Sequence, residues 1–116
     1  MKSENVMVDC DTLKTTLIDF GLSEVVCGDD ISEKDSGSYE YLPPEKVMPE
    51  RDPYSGFKAD VWSLGVILFA MIYGQFPWSK VERKEYIKVK KQHPTFDFPK
   101  NAAWHTDEVK DLLKQM

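Results

Sequence analysis

Cysteine is scarce in this sequence. Only Cys10 and Cys27 occur among 116 residues, and they lie far apart. A disulfide scaffold would be denser in cysteine, and a zinc site would show closely spaced pairs. Both cysteines are therefore expected to stay reduced inside a cell.

An excess of positive charge is also missing. Fifteen Lys and Arg against 20 Asp and Glu give a net charge of −5, whereas general nucleic-acid binding usually shows a basic footprint. The first ten residues hold no apolar core long enough for a signal peptide. No apolar run reaches the about 18 residues of a membrane span. We therefore expect no nucleic-acid or membrane partner and a cytoplasmic location, with the nucleus also open.

The composition that remains is that of one small soluble domain, with 41% hydrophobic and 30% charged residues. Its longest apolar stretch is Ala59–Tyr73, which has no polar face and is too long for a buried strand. The pattern predicts a core helix buried on all sides. Gly74 is suited to a left-handed C-cap, and Pro77 follows soon after.

Shorter elements are predicted around this helix. Val6–Val8 and Thr15–Ile18 favour a β-hairpin, because the connection between them is rich in turn formers. The segment 22–38 is polar and favours a long loop. Pro44 can open a short helix through Met48, and the segment 49–57 is a turn-rich connection to the central helix.

The second half of the chain adds further helix. The segment 80–92 is lysine-rich and predicted helical with a solvated face, and the segment 96–104 is predicted to be an extended loop. Thr106 can cap a last helix. Its apolar stripe repeats at helical spacing: Val109, Leu112, Leu113 and Met116. The fold class predicted is mainly α with one short β-hairpin.

Candidate chemistry lies at the strand ends. Asn5 precedes the first strand, and Asp19 follows the second. If the strands pair, both side chains can lie on the same rim of the hairpin. Two oxygen ligands there could hold Mg²⁺, which prefers oxygen donors and keeps bound waters and phosphates. Either residue alone is more often a turn former.

Four motifs occur in a fixed order: KSEN at 2–5, IDFG at 18–21, GSYEYLPPE at 37–45 and DVWSLG at 60–65. Together they resemble the C-terminal lobe of a eukaryotic protein kinase. The first is similar to the end of the catalytic loop, the second to DFG and the third to A-P-E with Pro for Ala. The apolar helix resembles helix F of that family. The resemblance covers the whole chain and implies a kinase-like C-lobe truncated at both ends.

The resemblance implies a Ser/Thr protein kinase that transfers phosphoryl groups from ATP, with Mg²⁺, to protein substrates. Asp19 would chelate the Mg²⁺ that bridges the ATP phosphates, and Asn5 would hold a second metal ion. Glu4 is grouped with them at the cofactor site. In some family members its position contacts basic substrate residues, and a plain surface carboxylate is the alternative. Lys2 matches the catalytic-loop lysine, and Ser38 supplies the hydroxyl of the substrate-facing loop, so both are assigned to catalysis.

The same resemblance divides the chain into three parts of one partial kinase domain. Residues 1–21 form the catalytic-loop end, hairpin and DFG, residues 22–45 the activation segment, and residues 46–116 the helical C-lobe. Ser32 and Ser36 are candidate phosphosites, because phosphate can order such a loop. The region around Trp104 and Thr106–Leu113 most resembles calmodulin-dependent or related Ser/Thr kinases.

Parts of the family pattern do not occur in the sequence. There is no His-Arg-Asp and no G-x-G-x-x-G, so the catalytic base and the loop that covers the phosphates are missing. We expect the chain alone to be inactive, and to need the missing N-lobe or to self-associate. The alternatives are a non-catalytic binding or regulatory fragment and a truncated gene product.

Overall fold

The structure is a computed structural model that describes residues 1–25, 31–32, 37–47, 54–78, 98–99 and 104–116. Two helices and two short antiparallel strand pairs make up its regular elements in this part of the chain. They are β1 (Val6–Val8), β2 (Thr15–Leu17), β3 (Ile31–Ser32), β4 (Tyr54–Ser55), α1 (Gly56–Tyr73) and α2 (Asp107–Gln115). Short 3₁₀ turns lie at Ser3–Asn5, Tyr39–Tyr41 and Pro44–Lys46.

The predicted hairpin is confirmed. Strands β1 and β2 pair antiparallel, with Val6 opposite Leu17. The carboxylate of Asp9 closes the turn, because its Oδ1 accepts hydrogen bonds from the backbone N–H of Asp11 at 3.0 Å and of Thr12 at 2.9 Å. Leu13 completes the turn in the left-handed region at φ 57°. Asp9 thus keeps the two strands in register.

The second strand pair differs from the sequence prediction. Ile31 pairs with Ser55, and Ser32 pairs with Tyr54, although both segments were predicted to be loop. The backbone of β3 therefore docks against residues that directly precede α1. Such pairing joins residues more than 20 positions apart, which local turn chemistry does not reveal.

Helix α1 begins three residues before the predicted start. Ser55 is its N-cap, and the Ser55 Oγ accepts a hydrogen bond from Lys58 N at 3.2 Å. The predicted C-cap is confirmed: Gly74 adopts φ 66°, and its N–H donates to Ala70 O at 2.8 Å. A left-handed residue is needed there, and glycine adopts that conformation without a Cβ penalty.

The prediction that α1 is buried on all sides is wrong. Phe69, on its buried face, is 1% exposed, whereas Met71, on the opposite face, is 77% exposed. The exposed side forms one stripe at helical spacing that includes Phe57, Val61, Leu64 and Met71. Among the described residues, α1 is covered from one direction only. An apolar sequence shows that a helix can be buried all round, but the number of neighbours decides whether it is.

The core lies between α1 and the segments on either side of it. Val66 and Ile67 pack with Tyr41 and Trp78, and the indole rings of Trp62 and Trp78 stack 5.5 Å apart. Tyr41 also meets the ring of Phe76 edge-on at 5.4 Å. This cluster joins the segment before α1 and the segment after it to the same helical face.

Helix α2 confirms the last predicted helix. Thr106 Oγ1 accepts from Val109 N at 3.3 Å, and Lys110 pairs with Asp107 at 2.9 Å. Leu113 is buried, but Leu112 remains half exposed, so only part of the predicted stripe faces the core. Gly65 lets the end of α2 approach, since a Cβ at Gly65 would lie 3.0 Å from the Cβ of Met116.

Several sequence predictions fall partly or wholly outside the described residues. The short helix predicted at Pro44 is a 3₁₀ turn that ends at Lys46, and Met48 lies beyond it. Cys10 is a free, exposed thiol. Further predictions outside this part of the chain concern Cys27, Ser36, segment 80–92, most of segment 96–104 and parts of segments 22–38 and 49–57.

Helix α1 is also long and apolar enough to cross a membrane, by length and composition alone. It has 18 residues and a mean hydropathy of 1.4, and it reaches this length by including the charged residues Lys58 and Asp60 near its start. The buried helix of a water-soluble domain meets the same criteria. A third of the helix is buried, on the face where Val66 and Ile67 pack against Tyr41.

The two faces of α1 predict opposite effects of truncation. Phe69→Ala should lower the free energy of unfolding by about 3–5 kcal/mol, because it leaves a cavity in the core. Met71→Ala is the control on the solvent face and should change it by less than about 0.5 kcal/mol. Urea unfolding followed by circular dichroism measures both values. Equal losses in the two variants would contradict the assigned faces.

Candidate functional site

One cleft gathers side chains from four separate parts of the chain. Its volume is about 610 Å³. It lies between the start of the chain, the residues after β2, the segment at 37–43 and the first half of α1. Lys2, Asn5, Asp19, Ser38 and Asp60 are among the polar side chains that line it, together with Ser23, Glu24, Lys46 and Ser63.

Asn5 and Asp19 meet at the same end of the hairpin. The N–H of Ile18 donates to Asn5 O at 2.9 Å, which ties the residue before Asp19 to the residue before β1. The N–H of Asn5 donates to Lys2 O at 3.1 Å and closes the 3₁₀ turn that carries both Lys2 and Asn5. The hairpin therefore brings a cation, an amide and a carboxylate to one wall of the cleft. Their roles as ligands stay a prediction.

Asp19 has an unusual backbone conformation. Its φ is 58°, a region that few non-glycine residues occupy and that is enriched at functional sites. Its Oδ1 accepts from the N–H of Gly21 at 3.3 Å. A Cβ at Gly21 would lie 3.2 Å from that same oxygen. Gly21 thus leaves room for the carboxylate beside the cleft.

Ser38 lies on the opposite wall. It directly precedes the 3₁₀ turn Tyr39–Tyr41, and its carbonyl accepts from Tyr41 N at 3.0 Å. Gly37 beside it has φ 131°, and a Cβ there would come within 2.8 Å of Leu42 Cδ2. Glycine is favoured at 37 by its positive φ, which other residues rarely adopt. The half-buried Ser38 is held at the cleft by these two features.

Glu4 does not line the cleft with the other predicted residues. Its Oε2 instead lies within hydrogen-bond distance of two possible donors, Ser3 Oγ at 3.1 Å and the Tyr41 hydroxyl at 3.2 Å. The two hydroxyls lie 2.8 Å from each other. Hydrogen bonding from its own backbone N–H, and then from these hydroxyls, holds the pKa of Glu4 below its ordinary value of 4.5. Its role at the cofactor site stays a prediction.

Two residues that the site depends on were not among the sequence candidates. Asp60 reaches the cleft from the start of α1, and its Oδ1 accepts from the amino group of Met1 at 3.3 Å. Tyr41 is 3% exposed, and its hydroxyl meets Ser3 and Glu4. Both belong to the quoted motifs, so the motifs were the only signal that could have found them.

The donor set fits Mg²⁺ bound together with phosphates. Within the described residues no group of three or more His, Cys, Asp or Glu could hold a metal ion by itself. Mg²⁺ is usually held by only one or two carboxylates, together with waters and phosphate oxygens. Asp19, Asn5 and the cation of Lys2 on one wall match that chemistry better than they match an all-protein metal cage.

The sequence is similar to known protein kinases along its whole length. The family model described as "Protein kinase domain" matches residues 1–116. A "Probable serine/threonine-protein kinase MARK-B" of Dictyostelium discoideum is 36% identical and a "Mitosis inducer protein kinase cdr1" of Schizosaccharomyces pombe 33% identical, each over 100% of this chain. Mouse "Testis-specific serine/threonine-protein kinase 1" is 35% identical, again over 100% of this chain. The chain spans 16%, 18% and 32% of these three relatives.

The hydroxyl contacts of Glu4 predict how the pKa of its carboxyl changes when one donor is removed. Because its folded-state pKa is lowered, ionised Glu4 adds stability above pH 4.5 that is lost as pH falls through the folded-state pKa. Tyr41→Phe should raise that pKa towards 4.5, since one donor to the carboxylate disappears. A carboxyl-detected NMR titration measures the change. The carboxyl of Asp107 in α2 is the control and should titrate unchanged; an unchanged Glu4 would contradict the contact.

Proposed function

The chain belongs to the protein kinase domain family, with Ser/Thr kinases among its relatives, and from that premise we propose that it forms the C-terminal-lobe part of a phosphoryl-transfer site. The reaction would move a phosphoryl group from ATP to a Ser or Thr of a protein substrate, with Mg²⁺. The calmodulin-dependent subgroup remains a prediction from the sequence around Trp104. The activity concerns a domain longer than these 116 residues, since the relatives are several times longer.

One observation carries the proposal: Lys2, Asn5, Asp19 and Ser38 line the same cleft. The first and the last are 36 positions apart in the sequence. Local structure does not bring such residues together, so their convergence supports one shared role. The cleft also offers the mixture of a cation, oxygen ligands and a hydroxyl that phosphate binding requires.

Each side chain has a distinct task in the proposed reaction. Asp19 and Asn5 would supply oxygen ligands to Mg²⁺, which neutralises charge on the phosphates when bound. Lys2 would place positive charge beside the phosphoryl group as it transfers. Ser38, on the other wall, would hydrogen-bond near the incoming substrate hydroxyl. These residues orient and stabilise charge, which is almost all that phosphoryl transfer asks of a protein.

The substrate side and the location are further parts of the proposal. We expect a protein substrate, and Glu40, exposed beside the cleft wall, would favour basic residues near the acceptor hydroxyl. The net charge of −5 agrees with a basic protein segment as partner rather than nucleic acid. The cytoplasm is the proposed location, with the nucleus left open.

Substitutions at two carboxylates of the hairpin, Asp19 after β2 and Asp11 in the turn, should have different effects on nucleotide binding. Asp19→Asn should weaken binding of Mg·ATP by about tenfold or more, because even residues that only orient metal ligands change affinity about 10- to 100-fold. Asp11→Asn removes the same charge at the far end of the hairpin, outside the cleft, and should leave binding unchanged. Isothermal titration calorimetry with Mg·ATP measures both. If neither variant differs from the parent chain, a non-catalytic binding role replaces the proposed one.

The chain by itself is expected to be inactive. It contains no His-Arg-Asp and no G-x-G-x-x-G, so the base and the loop that covers the phosphates are not supplied. Incubation with γ-labelled ATP, Mg²⁺ and a mixed Ser/Thr peptide library should give no more label than the Asp19→Asn variant gives. Mg²⁺-dependent labelling that Asp19→Asn abolishes would refute this prediction and would still support the metal site.

A further inference from the structure

Three side chains form a closed hydrogen-bonded group beside the cleft. Ser3 Oγ and the Tyr41 hydroxyl are 2.8 Å apart, and each lies within 3.2 Å of the Glu4 carboxylate. We name this group the hydroxyl clasp. Ser3 and Tyr41 are 38 positions apart, so the clasp joins two segments that the chain does not connect locally.

The hydrogen bond between the two hydroxyls of the clasp can run in either direction. If Ser3 donates to Tyr41, then Tyr41 donates to Glu4, and if Tyr41 donates to Ser3, then Ser3 donates to Glu4. Both arrangements end on a carboxylate, and hydrogen bonds to an ionised acceptor are the stronger kind. Chains of hydrogen bonds of this type also reinforce one another.

Tyr41 gives the clasp a fixed anchor. Its side chain is buried in the core beside Val66 and Ile67 of α1, and its carbonyl accepts from Ser63 Oγ at 3.0 Å. Ser3, by contrast, belongs to an exposed turn with no buried residue of its own. The hydroxyl of Ser3, beside the Glu4 carboxylate that Tyr41 also contacts, thus connects this exposed turn to the buried core.

The position of the clasp relates it to the site. Ser3 and Glu4 lie between Lys2 and Asn5, which line one wall of the cleft, and Tyr41 closes the turn that Ser38 opens on the other wall. We propose that Ser3 is a positioning residue, whose hydroxyl holds the Lys2–Asn5 turn in register with the segment 37–42 across the cleft. This inference rests on the proposed function, because the register matters for a phosphoryl group that passes between the two walls. Misplacement by about 1 Å can cost about a hundredfold in rate.

Backbone amide exchange of the chain without nucleotide tests the clasp. The amide of Asn5 reports on one wall through its bond to Lys2 O, and the amides of Tyr41 and Leu42 report on the other through Ser38 O and Tyr39 O. Ser3→Ala should accelerate exchange about fivefold at all three amides, which corresponds to one lost hydrogen bond. Tyr41→Phe should do the same on both walls. Ser3→Thr keeps a hydroxyl and should restore the parent rates.

The double variant Ser3→Ala, Tyr41→Phe measures the coupling between the two hydroxyls. Because the two hydroxyls bond to each other, amide exchange in the double variant should be accelerated by less than the product of the two single accelerations. The amide of Lys110, bonded to Thr106 O in α2, is the internal control and should keep its rate in every variant.

Three results would overturn the inference. Acceleration confined to Asn5 in Ser3→Ala would show a local turn bond with no link across the cleft. Equal acceleration at Lys110 would show a general loss of stability. A Ser3→Thr variant that matches Ser3→Ala would show that the hydroxyl is not responsible. Since no nucleotide is present, failure of the clasp and failure of Mg·ATP binding remain separate results.

Discussion

The hydroxyl of Ser63 lies on the buried face of α1 and is shared between the carbonyls of Ala59 and Tyr41, both at 3.0 Å. The first bond lies within the helix, and the second fixes the segment before it. Around this bond, Val66 and Ile67 pack against the Tyr41 ring, and Trp78 closes the other side. Loss of a buried hydrogen-bond partner typically costs about 1–3 kcal/mol. The seating of Tyr41 on α1 therefore sets where the substrate-side segment can lie.

The cleft follows from that seating together with the hairpin. Tyr41 fixes the turn that carries Ser38, while pairing of β1 with β2 returns the chain from Asn5 to Asp19. The segment that carries Ser38 is tied to α1 through Ser63, and it is joined to the first turn of the chain where the Tyr41 hydroxyl contacts Ser3. A rigid helix is a suitable support, because site geometry needs elements that do not move relative to one another. Within the described residues, helix α1 is thus the support against which the segment that carries Ser38 is positioned.

Local chemistry explains which parts of this fold could be predicted from the sequence. The Asp9 turn, the Gly74 C-cap and the Thr106 N-cap each depend on residues within a few positions, and all three form. The exposed face of α1 and the pairing of β3 with β4 depend on which distant segments pack against them. Neither was predicted. Ser55 is the exception: serine is a favoured N-cap residue, and it begins α1 within the segment predicted to be a turn-rich connection.

The candidate site shows the same division. Asn5 and Asp19 could be placed together, since a hairpin relates its two ends directly. The orientation of Glu4 could not be predicted, because its carboxylate contacts a hydroxyl 37 positions away in the sequence. Residue type and motif order indicated which side chains matter, but long-range contacts decide which of them face the cleft.

The central claim is that the cleft wall formed by Lys2, Asn5 and Asp19 holds a divalent ion with phosphates. Paramagnetic broadening by Mn²⁺ in the presence of ATP tests it most directly, since Mn²⁺ takes the same oxygen ligands as Mg²⁺. In the ¹⁵N-labelled chain, the amide signals of Asn5, Asp19 and Gly21 should broaden first, and those of Asp11 and Thr12 at the hairpin tip last. Broadening that begins at the hairpin tip or in α2, or that is uniform along the chain, would contradict the account.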